Sequence, residues 1–309
     1  MPVRGVRGRG RLAIMAGLGL VMAGLMLPAG SRPVAAGDML DLPIKQFHSY
    51  EPAPRAYQPR TAARQGWKKD LEAAKAAWRK GRFVAARKAF ERAAKRGSLV
   101  ASWYLGHIYR LGKGAKRDDL KAYRHYRKVA LAYDPDETNR MRLMMTVDAL
   151  VRVADYYRTG IGRKRLKRDP RRAFRLYNIA AGHGHPGAFY GLGLLALKGE
   201  GMRKRPRRAL GWLMKAAQLD HAPAAILLGD LARTGLKGYI RKDPVAALSW
   251  YLIAARMPVN KAQGQVLMQR IKALNAELDE ASRTRAEALA ERFVIASRKG
   301  TSHTVSARN

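Results

Sequence analysis

Four segments of the chain repeat one pattern, and this internal repeat constrains the fold more than any other feature of the sequence. ASWYLGHIYRLGKG (101–114), ALVRVADYYRTGIG (149–162) and AFYGLGLLALKGEG (188–201) superimpose without gaps, and AAILLGDLARTGLKG (224–238) needs one extra residue. Apolar residues at helical spacing predict an α-helix in each segment, and a glycine near its end predicts where that helix stops. The stop glycines are Gly112, Gly160, Gly199 and Gly235.

A second helix is predicted after each of these segments. DLKAYRHYRKVA (119–130), DPRRAFRLYNIAA (169–181), RPRRALGWLMKAA (205–217) and DPVAALSWYLIAA (243–255) carry an alanine followed four residues later by tyrosine or leucine, so both lie on one helical stripe. These alanines are Ala122, Ala173, Ala209 and Ala247. Asp118, Asp169 and Asp243 are predicted to cap three of the second helices, whereas Arg205 occupies the equivalent position of the third unit.

One position in each first helix is always small. Gly106, Ala154, Gly193 and Gly229 occupy it, although glycine in a helix interior costs roughly 1 kcal/mol relative to alanine. A small residue there lets the second helix approach closely with its bulky side chain, and the resulting burial offsets the propensity cost. The pattern therefore predicts tightly packed helical hairpins.

The repeat A-x-x-x-L-G-x-x-Y-x-x-G-x-G followed by D-x-x-K/R-A-x-x-x-Y-x-x-A/V-A resembles the Sel-one-like repeat, a variant of the tetratricopeptide repeat. The resemblance implies an all-α, right-handed solenoid of helical hairpins with a C-terminal helical cap. We predict a first tetratricopeptide-like hairpin at 67–100, four Sel-one-like repeats at 101–257 with an insertion at 131–148, and capping helices at 258–297. A Pro-rich flexible linker (37–66) and a disordered tail (298–309) are predicted to flank them.

The first 36 residues have the composition of a secretory signal peptide. Four arginines between positions 4 and 11 precede the apolar run LAIMAGLGLVMAGLML (12–27), and PVAAG (33–37) supplies small residues for cleavage after Ala36. The alternative is an uncleaved anchor in the inner membrane, for which this run is short. The chain contains no cysteine, and export without cysteine favours a bacterial periplasm over a disulfide-rich secreted environment.

The whole layout also resembles the ExoR-type exopolysaccharide regulators, through the signal peptide, the plain first hairpin and ADYYRTGI (154–161) in the second unit. Those regulators are exported proteins of alphaproteobacteria that inhibit a membrane sensor kinase from the periplasm. The resemblance implies a periplasmic regulator whose partner is the periplasmic domain of such a kinase, with 131–148 as a candidate control element. Composition and spacing by themselves predict only a helical repeat protein.

The net charge of +38 is far from normal, and the repeat places much of it in equivalent loops. We call these loop residues the basic stripe: an acidic protein, an anionic envelope polymer or phospholipid head groups could bind there, whereas export argues against nucleic acid. Membrane contact is predicted only through the signal peptide or this surface charge. The alternative interpretation is solvated loops without a ligand. The basic stripe consists of Lys113, Lys116, Arg117, Arg163, Lys164, Arg165, Lys167, Arg168, Arg203, Lys204, Arg205, Arg207, Arg208, Arg241 and Lys242.

No catalytic, cofactor-binding or metal-binding constellation is predicted. His183 and His185 are a possible ligand pair, but His185 occupies the turn position also held by Ser98 and His221, which favours a structural role, and one pair offers too few metal ligands. The sequence has no carboxylate pair suited to acid–base work and no nucleophile or phosphate-loop motif. We therefore predict a non-catalytic protein without a cofactor.

Aromatic residues on the first helices are the other candidate binding residues. Trp103, Tyr104, Tyr156, Phe189 and Tyr190 are predicted to lie on the concave face and anchor a protein partner, although aromatic residues at repeat positions also serve as core. Two functional hypotheses remain open. One is a negative regulator of an envelope sensor kinase, and the other is a basic envelope scaffold that binds anionic polymer or cell-wall enzymes.

Overall fold

The computed structural model describes the backbone of residues 66–306 and the side chains of residues 67–297 other than Arg163 and Lys164. The predicted signal peptide (1–36) and all but the last residue of the predicted linker (37–66) lie outside the described residues. Regular structure in the described part of the chain is helical, which confirms the all-α class. The helices are α1 Gly66–Arg79, α2 Phe83–Lys95, α3 Leu99–Leu111, α4 Asp119–Ala130, α5 Arg140–Thr159, α6 Gly162–Arg165, α7 Pro170–Gly182, α8 Pro186–Lys198, α9 Pro206–Gln218, α10 Ala222–Thr234, α11 Pro244–Ala255, α12 Lys261–Glu277 and α13 Glu280–Ser306.

These helices form a linear array of hairpins. The hairpin partners are α1 with α2, α3 with α4, α5 with α7, α8 with α9, and α10 with α11, and the second helix of each hairpin also packs on the first helix of the next. At the C-terminal end, α11 packs against both α12 and α13. Because each hairpin contacts chiefly its neighbours, the array is a solenoid, as the repeat predicts. None of the described helices combines the length and the apolar composition needed to span a membrane.

The helix ends follow the predicted signals. The side chains of Asp118, Asp169 and Asp243 each accept a hydrogen bond from a backbone N–H in the first turn of α4, α7 and α11. Arg205 makes no such bond at the start of α9. The predicted stop glycines end the first helices with positive φ, between 70° and 75°, which L-residues rarely adopt. Gly112 and Gly199 are left-handed, whereas Gly160 and Gly235 have ψ near 170° and lead into short bridged turns.

The small positions bring paired helices into close contact, as predicted. A Cβ added to any of three glycines would overlap a bulky side chain of the second helix: 2.6 Å from Tyr126 at Gly106, 2.8 Å from Leu213 at Gly193, and 2.5 Å from Tyr251 at Gly229. Ala154 is fully buried in the same cluster as Tyr177. The stripe alanines Ala122, Ala173, Ala209 and Ala247 are also fully buried. Gly191 makes a further approach, because its backbone lies against the ring of Tyr177 in the preceding hairpin.

Two predicted boundaries are wrong at their edges. Helix α1 already includes Gly66, so the linker cannot extend through that residue. Helix α13 continues to Ser306, so the predicted disordered tail does not apply to 298–306. The physical reason is that no proline interrupts the segment after Phe293, and an established helix adds one hydrogen bond for each residue it fixes.

The segment predicted as an insertion is only partly a loop. Residues 131–139 form turns, and α5 then starts at Arg140, where the Asn139 side chain accepts a hydrogen bond from the Arg142 N–H. The second half of 131–148 therefore extends the first helix of the second unit by about two turns. This extension carries exposed apolar side chains, Met141 at 82% and Met144 at 44% exposure, next to Leu131 at 42% at the end of α4.

Candidate binding surfaces

The basic stripe is open to solvent. All of its described side chains are exposed except that of Arg208, which is half-buried with its guanidinium 5.0 Å from the centre of the Trp212 ring. Carboxylates hold two other members: Arg117 pairs with Asp119 at 3.0 Å, and Arg168 pairs with Glu200 at 2.8 Å. The side chains of Arg163 and Lys164 lie outside the described residues. The described part of the stripe is therefore accessible to a ligand.

Contacts between successive loops bring the basic stripe together along one edge of the array. Arg87 donates a hydrogen bond to the carbonyl of Gly114 at 3.0 Å, and the backbone of Gly114 lies against Phe83. Gly201 in the third loop lies equally close to the carbonyl of Pro170, next to the second loop. The Arg168–Glu200 ion pair joins the same two loops. The second and third loops are thus in contact, and residues of the first and second loops, Lys116 and Arg165 among them, line one groove.

A groove opens where the second loop meets α4, and we call it the arginine groove. It has a volume of about 520 Å³ and contains four arginines: Arg124 and Arg127 on α4, Arg165 on α6, and Arg172 on α7. The side chains of Leu120, Tyr123, Tyr157 and Leu166 complete its lining. A larger neighbouring groove of about 710 Å³ shares Leu120 and Arg165 with it and adds cations from the first loop.

Two tyrosines form a rigid part of the arginine groove. The hydroxyls of Tyr123 and Tyr157 are 3.0 Å apart, and their rings meet edge to face. Burial and the hydrogen bond to Tyr157 raise the pKa of Tyr123 to about 12, so this hydroxyl stays neutral. The guanidinium of Arg172 lies 5.6 Å from the centre of the Tyr157 ring and also pairs with Asp169 at 3.0 Å. These contacts fix Arg172 beside the tyrosines.

The first helices α3, α5, α8 and α10 form a second surface, which we call the first-helix face. At its centre, in contrast to the arginine groove, a carboxylate is surrounded by partners. This carboxylate is Asp148 on α5. The Trp103 indole donates a hydrogen bond to Asp148 at 2.7 Å, and Arg152 pairs with it at 3.0 Å. The Nε2 atoms of His107 and His185 lie 3.6 Å and 3.5 Å from its two carboxylate oxygens. One carboxylate thus links α3, α5 and the start of α8.

The pKa of Asp148 reflects this crowding. Burial alone would raise it, but the imidazoles of His107 and His185 and the charge of Arg152 outweigh burial and hold the pKa well below its ordinary value. Along the same helix, Asp155 accepts a hydrogen bond from the Tyr177 hydroxyl at 2.7 Å. Burial raises the pKa of Asp155 in spite of that bond. Asp148, Arg152 and Asp155 on the first-helix face are therefore held by neighbouring side chains.

The predicted aromatic anchors are mostly structural. Tyr156 and Phe189 are only 8% exposed and belong to the core clusters, so the prediction that they contact a partner is wrong for these two. Their repeat positions face the neighbouring helices. Trp103, Tyr104 and Tyr190 are half-buried: Trp103 is held by Asp148, Tyr104 stacks on Phe90 with ring centroids 4.5 Å apart, and Tyr190 lies 4.9 Å from the His221 ring.

The two histidines of the His183-Gly-His185 sequence are separated by their contacts. His183 ends α7, and its Nε2 lies 2.7 Å from the Tyr133 hydroxyl. His185 caps α8, because its Nδ1 accepts a hydrogen bond from the Gly187 N–H at 3.2 Å. The predicted structural role of His185 in the turn is confirmed. Its second contact, to Asp148, could not be read from the repeat.

Comparison with known proteins identifies the repeat. A family model for the Sel1 repeat matches residues 99–134, 147–185, 188–221 and 222–258. The chain carries four Sel1 repeats. The gap between the first two matches falls inside the segment 131–148, where α5 begins with its extra turns. A Sel1 repeat protein from Oxalobacter formigenes has a similar structure, with a TM-score of 0.52 and 25% identity over 78% of this chain and 91% of that one.

Two curated relatives of the chain carry one description. The chain is 30% identical over 156 residues to an "Exopolysaccharide production negative regulator" of Rhizobium leguminosarum bv. viciae, covering 50% of this chain and 58% of the relative. It is 31% identical over 157 residues to the protein of the same description from Rhizobium meliloti (strain 1021), with the same coverage. The predicted resemblance to exopolysaccharide regulators is therefore confirmed, over little more than half the length of these relatives.

Proposed function

We propose that this protein is an exported, non-catalytic negative regulator that acts by binding a protein partner through its Sel1 array. The partner in this proposal is the periplasmic domain of a membrane sensor kinase that controls envelope or exopolysaccharide functions. The similarity of about half of the chain to two proteins described as negative regulators of exopolysaccharide production carries the proposal. The signal-peptide composition of residues 1–36 supports the periplasmic location.

The described surfaces suit recognition of another protein. Asp148 and Asp155 on the first-helix face are held in ion pairs and hydrogen bonds, so this part of the surface is preorganised and has little side-chain entropy to lose on binding. The extended end of α5 places Met141 and Met144 in solvent, and methionine adapts readily to an apolar partner. Both features lie around 131–148, so this segment is the proposed control element.

A second candidate function rests on the basic stripe. Its first three loops adjoin one another, and its described cations other than Arg208 are exposed, two of them (Arg117 and Arg168) in an ion pair. A linear polyanion could follow this edge, which would make the protein an envelope scaffold for anionic polymer or for cell-wall enzymes associated with it. Such binding depends on counterion release and weakens steeply as salt rises.

Crosslinking in intact cells tests the two functions. A tagged chain would be captured and its partners identified by mass spectrometry after washes at low and high salt. Recovery of a membrane sensor kinase in both washes supports the regulator. Recovery of polysaccharide or cell-wall material alone, lost in the high-salt wash, would overturn it in favour of the scaffold.

A matched variant sharpens the result. Arg203→Gln, Arg205→Gln and Arg207→Gln remove three exposed charges from the third loop without touching a described ion pair. The regulator hypothesis expects the kinase to be captured as before. The scaffold hypothesis expects recovery of polymer to fall, because each lost cation removes one counterion-releasing contact.

A further inference from the structure

The charge in the arginine groove is not balanced. The groove has four arginines and no acidic lining residue. Arg124, Arg127 and Arg165 make no ion pair within residues 67–297, and only Arg172 has a carboxylate partner, Asp169. Guanidinium groups bind carboxylates in a planar, two-bond geometry, so several unpaired guanidiniums in one groove favour an anionic ligand with more than one carboxylate.

The dimensions of the groove match a short extended chain. Leu120, Arg124 and Arg127 lie along one face of α4, and seven residues of helix span about 10 Å. Three residues of an extended peptide cover the same length at about 3.3 Å per residue. In such a peptide, side chains two residues apart point to the same side, so two acidic residues in alternation would reach successive arginines.

The remaining lining residues distinguish a peptide from a sugar polymer. Leu120 and Leu166 give the groove apolar walls that a purely hydrophilic polymer would leave uncovered. Neither tyrosine presents a free ring face for a sugar to stack on: Tyr123 is 9% exposed, and Arg172 covers the ring of Tyr157. In an extended segment that alternates acidic and apolar residues, the acidic side chains would face Arg124 and Arg127 on α4, and the apolar side chains would point away from α4, where Leu166 also lines the groove.

We propose that the arginine groove docks an extended acidic segment of the protein partner, in which acidic and apolar residues alternate. The acidic side chains pair with Arg124 and Arg127 on α4, and the apolar side chains, on the other side of the segment, pack on Leu166. This inference rests on the proposed function, because it describes how a protein partner is held. It adds α4 and the start of α7 to the binding surface.

Peptide binding to the purified full chain tests the groove. The probe is a fluorescein-labelled peptide Gly-Glu-Leu-Glu-Leu-Glu-Gly, compared with the same peptide carrying Gln for each Glu and with an oligogalacturonate of equal charge. We expect the Glu peptide to bind at 0.15 M salt, the Gln peptide to bind at least tenfold more weakly, and Arg124→Gln with Arg127→Gln to weaken binding about tenfold, which is about 1.4 kcal/mol.

A charge-matched variant separates a local site from the overall positive charge. Arg285→Gln with Arg292→Gln removes two exposed arginines from α13, at the other end of the array. This control should change peptide binding by less than about twofold, because screening at 0.15 M salt acts over about 8 Å. An equal loss in both variants would overturn the proposal, as would tighter binding of oligogalacturonate that depends on Arg124 and Arg127.

The groove and the proposed function can fail separately. If cells yield the sensor kinase with the unchanged chain and equally well with the Arg124→Gln, Arg127→Gln variant, the groove is not the docking site but the regulator stands. If the unchanged chain captures no protein partner while the purified chain still binds the Glu peptide in the groove, the proposed function fails and the site remains.

Discussion

The first-helix face and the arginine groove both contain several cations, but the cations of the two surfaces differ in whether a neighbouring group pairs with them. On the first-helix face, Arg152 is held by Asp148, and Arg158 lies against the Tyr177 hydroxyl and near Asp155. In the arginine groove, Arg124 and Arg127 face solvent and pair with no carboxylate among residues 67–297. Burial explains the difference, because a buried charge is expensive unless it is paired, whereas water and salt screen an exposed one.

The cations of the chain therefore fall into two groups: some make contacts that hold the fold together, and others are exposed to ligands. Charges on the first-helix face stabilise the array by joining neighbouring units, and they are not free to bind a partner without breaking those links. Arg124 and Arg127 in the arginine groove make no ion pair within residues 67–297, so they contribute little to the fold and are available to a ligand. Substitutions on the first-helix face should therefore change the free energy of unfolding, whereas substitutions in the arginine groove should change ligand binding.

The largest expected effect is the loss of Asp148. Asp148→Ala leaves Arg152 and two imidazoles without their shared carboxylate, and breaking a buried ion pair by removing one partner costs about 3–5 kcal/mol. Alanine is the better helix former, so any destabilisation must come from the lost contacts. Denaturant unfolding measures the free energy directly.

The exposed Asp136, on the same segment, supplies the control. Asp136→Ala should change the free energy of unfolding by less than about 0.5 kcal/mol, since surface substitutions rarely do more. If the two variants were equally stable, Asp148 would not be the electrostatic centre of the first-helix face, and the contrast with the groove would fail.

The next largest expected effect is a loss of stability as the pH falls. Burial, followed by the charges of His185 and Arg152, lowers the pKa of His221 to about 4. The folded chain keeps this imidazole neutral at pH values where the unfolded chain protonates it. The free energy of unfolding should therefore hold above about pH 6.5 and fall between about pH 6.5 and 4, by up to about 3 kcal/mol from this group.

Substitution of His221 isolates that contribution. His221→Gln cannot take up the proton, so its stability should vary less with pH across this window. His125 on α4 has its pKa lowered to about 4 as well, mainly by burial, so the variant keeps part of the dependence. A pH profile identical in slope to that of the unchanged chain would show that His221 is not desolvated as described.

The features that the sequence predicted correctly are those repeated in every unit. Gly106 and Gly229 could be predicted to lie against a bulky side chain of the second helix. Glycine destabilises a helix, so a glycine at a fixed repeat position indicates that a neighbouring side chain leaves no room for a Cβ. Asp118 and Asp243 could be predicted as helix caps because each stands just before a segment with an apolar helical stripe. Pro244 follows Asp243 at the first position of its helix. In these cases local spacing carries the whole physical reason.

The features that the sequence missed depend on how units stack. Asp148 stands in a run of apolar and methionine residues with nothing nearby to mark it, because its partners come from α3 and the start of α8. Tyr156 and Phe189 were assigned to the wrong surface, since a repeat position does not tell which neighbour a side chain faces. Arg124 and Arg127 did carry a signal, their spacing of three residues on an exposed helix face.

The smallest expected effect is a gain in stability at the basic stripe. The backbone of Arg205 has φ −143° and ψ 75°, close to the φ −141° and ψ 81° of the capping residue Asp169, yet Arg205 offers no acceptor to the first turn of α9. Arg205→Asp should supply that acceptor and place a negative charge at the positive end of the helix, a gain of about 1 kcal/mol or about 2–4 °C in Tm.

Arg205→Ala is the matched variant, because it removes the same cation without adding an acceptor, and it should leave Tm nearly unchanged. If both variants gained equally, relief of repulsion with Arg208, whose pKa burial and the charge of Arg205 both lower, would be the cause rather than capping. If only Arg205→Asp gained, the array would hold a less stable residue at a position where three other units use aspartate. Reduced capture of the partner by that more stable variant would then give the cation a binding role, which is the division of charge that the comparison of the two surfaces implies.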